Sequence, residues 1–353
     1  MSTQEILETP APRKPWAQTP IDKAKTAAIF IASVLIAMGL VASTPLSGKL
    51  AFAAIFFVVY LLIDFVVSFL KAGRPAAVDS LFRGLVTTTI IIAVTPIVSI
   101  LVTVWARGHK GLHWTLFTRD MHNNAFTDPV SQGGLLHAII GTFLLVFFAM
   151  LISVPIGILT ALYLTEVRGR FTRPIDFLVQ AMSGVPSIVA GLFIYAAILV
   201  PLTKTVNGIQ GSLALAILMI PTVARTSQEV LKLIPSDLRE AGVALGGTQW
   251  RSVALVVVPA ARSGLITAMI LGVARVAGET APILLLTGGS GTKNYNVFSG
   301  SLGSLPNYIW QGFNAGTPES ITRAWAGILV LLAIVVILFT AARILGNRKV
   351  GKK

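Results

Sequence analysis

The sequence predicts an all-α, polytopic membrane protein with about eight transmembrane helices, and three observations predict it. First, 54% of its 353 residues are hydrophobic and only 12% are charged, about half the charged share of a soluble domain. So little polar surface cannot cover a compact globule of this length. Second, the apolar residues fall in runs of about 20 or more, the length that crosses a bilayer core as a helix. Third, the basic residues crowd to one side of those runs. This composition excludes an ordinary soluble enzyme and a disordered chain. With no Cys, a disulfide scaffold is excluded as well.

In chain order the runs lie at about 26–44, 50–71, 84–105, 135–165, 177–200, 211–229, 263–287 and 322–345. All are far longer than a strand and lack the alternation of a barrel strand. Residues 1–25, with Pro10, Pro12, Pro15 and Pro20 among polar neighbours, read as a disordered cytoplasmic tail. The first run follows a long basic region without a small-x-small cleavage site, so it reads as an anchor rather than a signal peptide.

Between the third and fourth runs, 106–134 reads as an outside loop whose Trp114 and Phe117 suit a membrane interface. Its His109, His113 and His122 lack the Cys or paired carboxylates that would complete a metal site, so no metal is expected. His137 reads as a helix-end residue. Gly288-Gly289-Ser290-Gly291 lacks the Gly-Lys-Ser/Thr ending of a phosphate-cradling P-loop and reads as a flexible outside loop. No Walker A or His-Glu-x-x-His sequence occurs. The chain therefore reads as no enzyme, with no cofactor.

The net charge is +14, from 28 Lys and Arg against 14 Asp and Glu. On a soluble protein such an excess would suggest nucleic acid. With an even number of spans and both termini inside, the outside segments hold only Lys49, Arg107, Lys110, Arg119, Lys204, Lys293 and Arg323, and Arg275 falls within a span. The remaining basic residues face the cytoplasm, as the positive-inside rule requires. The charge is thus a topology signal, with membrane lipid as the partner and no nucleic acid.

The inside segment 230–262 is the most informative polar stretch. Pro235-Ser236-Asp237 opens a helix, with Asp237 as cap and Glu240 three residues on. Leu238, Ala241, Ala244 and Leu245 form an apolar stripe. Gly246-Gly247 ends that helix. Thr248 then caps a second one that carries Trp250 and Arg251 and runs to Pro259. A DNA-reading helix-turn-helix has a similar outline, but spans flank this unit closely on both sides. A docking knob for a cytoplasmic partner fits that context.

Glu240-Ala241-Gly242, three residues, Gly246, nine residues, then Val256-x-Val258-Pro259 resembles the EAA motif of ABC importer permeases. The chain departs from that pattern at Gly242, where the family has Ala, and at the two valines, where it has Ile and Leu. Ser183-Gly184-Val185-Pro186-Ser187-Ile188-Val189, Pro221-Thr222-Val223-Ala224-Arg225-Thr226 and Ala274-Arg275-Val276-Ala277-Gly278-Glu279-Thr280-Ala281-Pro282 resemble the phosphate importer permeases. The last favours the PstA branch over its PstC sister.

The resemblance implies a type I ABC importer permease in a bacterial cytoplasmic membrane. It implies a six-helix core over 84–345, with the transmembrane type-1 domain over about 135–345, and leaves 26–71 as two additional helices. It implies that Glu240, Ala241, Gly242, Gly246 and Pro259 belong to a coupling loop that seats in an ATPase. The partners it implies are a cytoplasmic ABC ATPase dimer that hydrolyses the ATP, a second permease resembling PstC, and an extracytoplasmic phosphate-binding protein.

Two arginines stand out, Arg275 within a span and Arg225 near the inner end of the preceding one. Arg275 lies near mid-span, where a charge costs about 3 kcal/mol or more. Glu279, four residues on, is expected on the same helix face as an ion-pair partner. Arg225 and Glu229 repeat that spacing. Two readings stay open: the pairs lock helices together, or the arginines line a pathway. In the second, guanidinium forks meet an oxyanion and the acidic partners keep it from binding too tightly to leave. The family resemblance implicates Arg225, Arg275 and Glu279 in transport. Pro186, Pro221 and Pro282 interrupt spans, as pathway-shaping breaks or as simple kinks. Phosphate is the implied substrate, with sulfate or molybdate as the alternative within the class. An ion-coupled secondary transporter is the alternative outside it.

Overall fold

A computed structural model describes residues 20–46, 48–244 and 246–346. The expected tail over 1–19, Leu245 of the apolar stripe and the basic residues beyond 346 lie outside the described residues. Among the described residues the regular structure is helical, apart from one isolated bridge between Gly288 and Leu302. The chain divides into two compact units, one ending at Ile100 and the other beginning at Leu101.

In the first unit, α1 spans Pro20–Ser43. It takes in residues 20–25, expected as tail, because Pro tolerates the first helical turn, where its missing N–H is no loss. The next helix, α2, runs Lys49–Gly108 and so continues past Ile100 into the second unit. Its 60 residues would be about 90 Å long if straight, three times a bilayer core. It breaks at Ala72 (φ −138°, ψ 16°) and Gly73 (φ 73°, ψ −167°), the latter a conformation that only glycine adopts without strain. The arms fold back on one another, with Gly84 directly against the Leu61 side chain. These arms are the expected spans 50–71 and 84–105, joined by a much tighter turn.

The second unit continues through a short turn, His109–Gly111, and α3, Trp114–Thr118, to α4, Leu136–Leu162. A π-helical turn, Tyr163–Val167, extends α4, and Arg168 closes it with φ 48°. Helices α5, Thr172–Ser183, and α6, Ser187–Ile194, follow; α6 continues to Thr203 as a π helix. The expected continuous span 177–200 is instead a pair bent by 105° between Ser183 and Ser187. Pro186 supplies the reason: it has no N–H, and its ring disfavours helical geometry in the residue before it.

Helix α7, Gly208–Lys232, stays continuous through Pro221. It is the hub of the unit. A Cβ on Gly157 of α4 would stand 2.8 Å from Val223 Cβ, so those two backbones approach as closely as small residues permit. Leu145, Ala149, Leu215, Met219, Val223, Val276 and Ile283 form the buried core around this contact.

Helices α8, Ser236–Ala244, and α9, Gln249–Ser252, form the expected cytoplasmic pair. A π turn, Val253–Val257, then leads into α10, Val258–Ala277. Two expectations change here. The second coupling helix does not stop at Pro259 but continues into the span, because the proline sits in the first turn of α10, behind a wide π turn. Nor does the span run to 287. It ends at Ala277, and Pro282 falls in the first turn of a separate α11, Ala281–Leu286.

The chain closes with α12, Leu305–Ala315, and α13, Pro318–Gly346. Among the described residues six stretches are long and apolar enough to cross a bilayer, and the bent pair makes a seventh; α2 counts once among them, with its break at Ala72 and Gly73 dividing it into two arms. The Gly288-Gly289 stretch is packed rather than loose. Leu302 N–H donates to Thr287 O at 2.8 Å, and Gly289 (φ 62°) lies directly against the Asn307 side chain.

Candidate functional site

Two clusters concentrate the polar chemistry of the second unit: one beside α7 in the membrane-spanning part, the other at the α8–α9 pair.

In the first, Arg275 sits in the last turn of α10, and its Nη1 donates to Thr222 Oγ1 on α7 at 2.8 Å. Its expected pair with Glu279 does not form. The helix ends at Ala277, so a spacing of four residues no longer returns to the same face. Among the described residues no carboxylate lies within 4.0 Å of Arg275, and its side chain is exposed on this isolated chain.

Arg225 lies three residues after Thr222 on α7, the separation that makes neighbours on a helix surface. Its Nη1 donates to Asp176 Oδ1 of α5 at 2.6 Å and to Gln228 Oε1 at 2.9 Å, and Nη2 reaches the Asp176 carbonyl at 3.0 Å. The expected Arg225–Glu229 pair is therefore replaced. Arg before Glu is the weaker order for such a pair, and Lys232 takes Glu229 at 2.7 Å. One face of α7 thus carries Arg225, held by a carboxylate, and the hydroxyl that holds Arg275.

In the second cluster, Thr248 caps α9 by accepting from Arg251 N–H at 3.4 Å, as the sequence predicts. Asp237 is not the cap of α8: the helix starts at Ser236, which puts Asp237 in the first turn, where an acidic group complements the helix dipole. Gly246 adopts φ 81° beyond α8. The stripe residues Leu238, Ala241 and Ala244 are exposed, as are Glu240, Val243 and Trp250. Gly242 packs directly on the Ser252 side chain, a contact that an Ala would obstruct.

Arg239 ties this pair to the spans. Its Nε donates to Glu166 Oε2 at 2.9 Å and its Nη2 to Glu166 Oε1 at 3.0 Å. A cavity of about 870 Å³ lies here, lined by Glu166, Arg168, Arg239, Glu240 and Gln249 among others. Sequence reasoning missed Thr222 as a partner, and Asp176, Glu166 and Arg239 altogether. Glu166 and Arg239 lie 73 residues apart, and no local spacing links them.

Several helices long and apolar enough to span a bilayer, with an exposed, glycine-bent helix pair between two of them, define a multi-pass membrane protein. A family model for the binding-protein-dependent transport system inner membrane component matches residues 153–351, more than half the chain. The chain is 38% identical over 270 residues to a phosphate transport system permease protein PstA of Mycobacterium leprae, covering 74% of this chain and 87% of that relative. It is 35% identical over 273 residues to a protein of the same name from Haemophilus influenzae, covering 77% and 94%. Among solved structures, an inward-facing MetNI methionine ABC transporter chain aligns with TM-score 0.46 at 21% identity, covering 61% of this chain and 92% of that one. The chain belongs to the binding-protein-dependent transport system inner membrane component family.

Proposed function

We propose that the chain is a permease subunit of an ATP-driven ABC importer for inorganic phosphate. The observation that carries this reading is the guanidinium of Arg275, which has no carboxylate within 4.0 Å among the described residues and donates to the Thr222 hydroxyl, three residues before Arg225 on α7. The two forks and a hydroxyl offer several donors to an oxyanion. Asp176 already engages Arg225, which tempers the attraction so that the anion can leave. Relatives named as phosphate permeases support phosphate as that anion.

The subunit works with a second permease resembling PstC, a cytoplasmic ATPase dimer and an extracytoplasmic phosphate-binding protein. Both termini face the cytoplasm, a placement supported by the distribution of basic residues. Phosphate released by the binding protein enters between the permeases and meets Arg275, which the isolated chain leaves exposed. ATP binding closes the ATPases. Their movement reaches the spans through Glu240, Ala241, Gly242, Gly246 and the α9–α10 run containing Pro259. Glu279, at the break after α10, borders the same path.

Competition tests the substrate. ATP-driven uptake of labelled phosphate by the assembled complex is expected to persist in excess sulfate or molybdate and to fall in excess unlabelled phosphate. Loss of uptake under sulfate or molybdate would assign the site to a different oxyanion.

A further inference from the structure

The α8 helix has no buried residue among those described, so no apolar face fastens it to the spans. Polar contacts do so instead, and they converge on Glu166. Its side chain is only 6% exposed, and both carboxylate oxygens receive the Arg239 fork from α8. Its backbone carbonyl accepts the Gln249 side-chain amide of α9 at 2.7 Å. The same guanidinium donates onward to Leu231 O at 2.8 Å, in the last turn of α7, and, through Nη1, to Ile234 O at 2.6 Å, just beyond that helix. One ion pair therefore joins α4, α7, α8 and α9. Glu166 owes its position to the π turn Tyr163–Val167, which the left-handed Arg168 closes. Such a widened turn redirects a side chain that a regular helix would aim elsewhere.

We infer that Glu166 is a positioning residue for transport. Through Arg239 it keeps the α8–α9 pair and the inner ends of α4 and α7 one rigid body throughout the ATP cycle, so that displacement at the ATPase reaches the spans undiminished. This rests on the coupling role proposed above. An exposed ion pair would be too weak for the task. A forked pair whose carboxylate is buried is different, because removing one partner strands the other charge.

The test uses the complete complex in proteoliposomes and reads phosphate imported per ATP hydrolysed. Glu166→Gln is expected to leave the complex assembled, with ATP hydrolysis within about twofold of normal and import per ATP reduced about tenfold, within the range of ordinary coupling energies. Glu166→Asp keeps the charge and is expected to fall between. An unchanged ratio in Glu166→Gln would overturn the inference.

Should Glu166→Gln fail to assemble, a second measurement leaves the pair intact. The chain has no Cys, so spin labels at the exposed positions Arg170→Cys and Val243→Cys report the separation of the two sides directly. That distance is expected to stay the same with and without trapped ATP. A change of several ångströms would show that the joint opens, and would sink the inference. A wild-type complex that imports no phosphate with ATP would instead refute the importer reading itself.

Discussion

Arg275 and Thr222 are joined across α10 and α7 by a 2.8 Å hydrogen bond, in place of the ion pair with Glu279 that the sequence suggested. A guanidinium neutralised within its own helix would have a structural explanation. One that reaches a hydroxyl, with no carboxylate within 4.0 Å among the described residues, keeps its charge available to an anion.

Arg275→Gln is therefore expected to reduce phosphate uptake by about 10- to 100-fold, the worth of a charge-assisted hydrogen bond. The exposed side chain can be lost at a stability cost within about 0.5 kcal/mol. Uptake and thermal melting of the purified complex read the two effects separately. Normal uptake with a lowered melting point would mark the arginine as a structural tie.

Asp176→Asn and Glu229→Gln separate the observed partner of Arg225 from the expected one. The Arg225–Asp176 pair is about a third exposed, at 32% and 42%. Solvent screening therefore holds its stability contribution to about 1 kcal/mol or less. Uptake should change clearly in Asp176→Asn and stay within about twofold in Glu229→Gln. The opposite ranking would restore the helical Arg225–Glu229 pair.

Gly242→Ala restores the family's EAA sequence but places a methyl against the Ser252 side chain. Overpacking costs about 1–3 kcal/mol, whereas the gain in helix propensity is about 1 kcal/mol. Crowding is expected to win, lowering import per ATP several-fold, and Ser252→Ala in the same chain should recover part of the loss. An unchanged ratio in Gly242→Ala would show that α8 shifts freely on α9.

Arg323 supports a fourth prediction. Its side chain is fully buried, with Nη2 donating to Pro129 O at 2.7 Å and Gln132 O at 2.6 Å. Arg323→Gln leaves those carbonyls short of donors, which is expected to cost about 1–3 kcal/mol and to make the loop 119–134 sensitive to protease added outside. An unaltered digestion pattern would contradict this pinning role.

Long apolar runs made the helices legible, because a bilayer demands both length and hydrophobicity. Their ends were less so: Gly73, Pro186 and Gly278 each place a break or a turn that hydropathy averages away. Within the site, the glycine-bent α8–α9 pair could be read because its capping is local, as at Thr248. The partners of the arginines could not. Thr222 and Asp176 lie 53 and 49 residues from Arg275 and Arg225, and only the packing of α7 against α10 and α5 brings them together. Arg323 had read as a topology charge in an outside loop, since nothing local marks a guanidinium that backbone carbonyls will bury.

The most direct test of the account is uptake of labelled phosphate into proteoliposomes that hold this chain with its partner permease, ATPase dimer and binding protein. Uptake is predicted to require both ATP and the ATPase dimer, and to stop when either is omitted. Uptake that continues without them would contradict ATP-driven import and point to an ion-coupled secondary transporter.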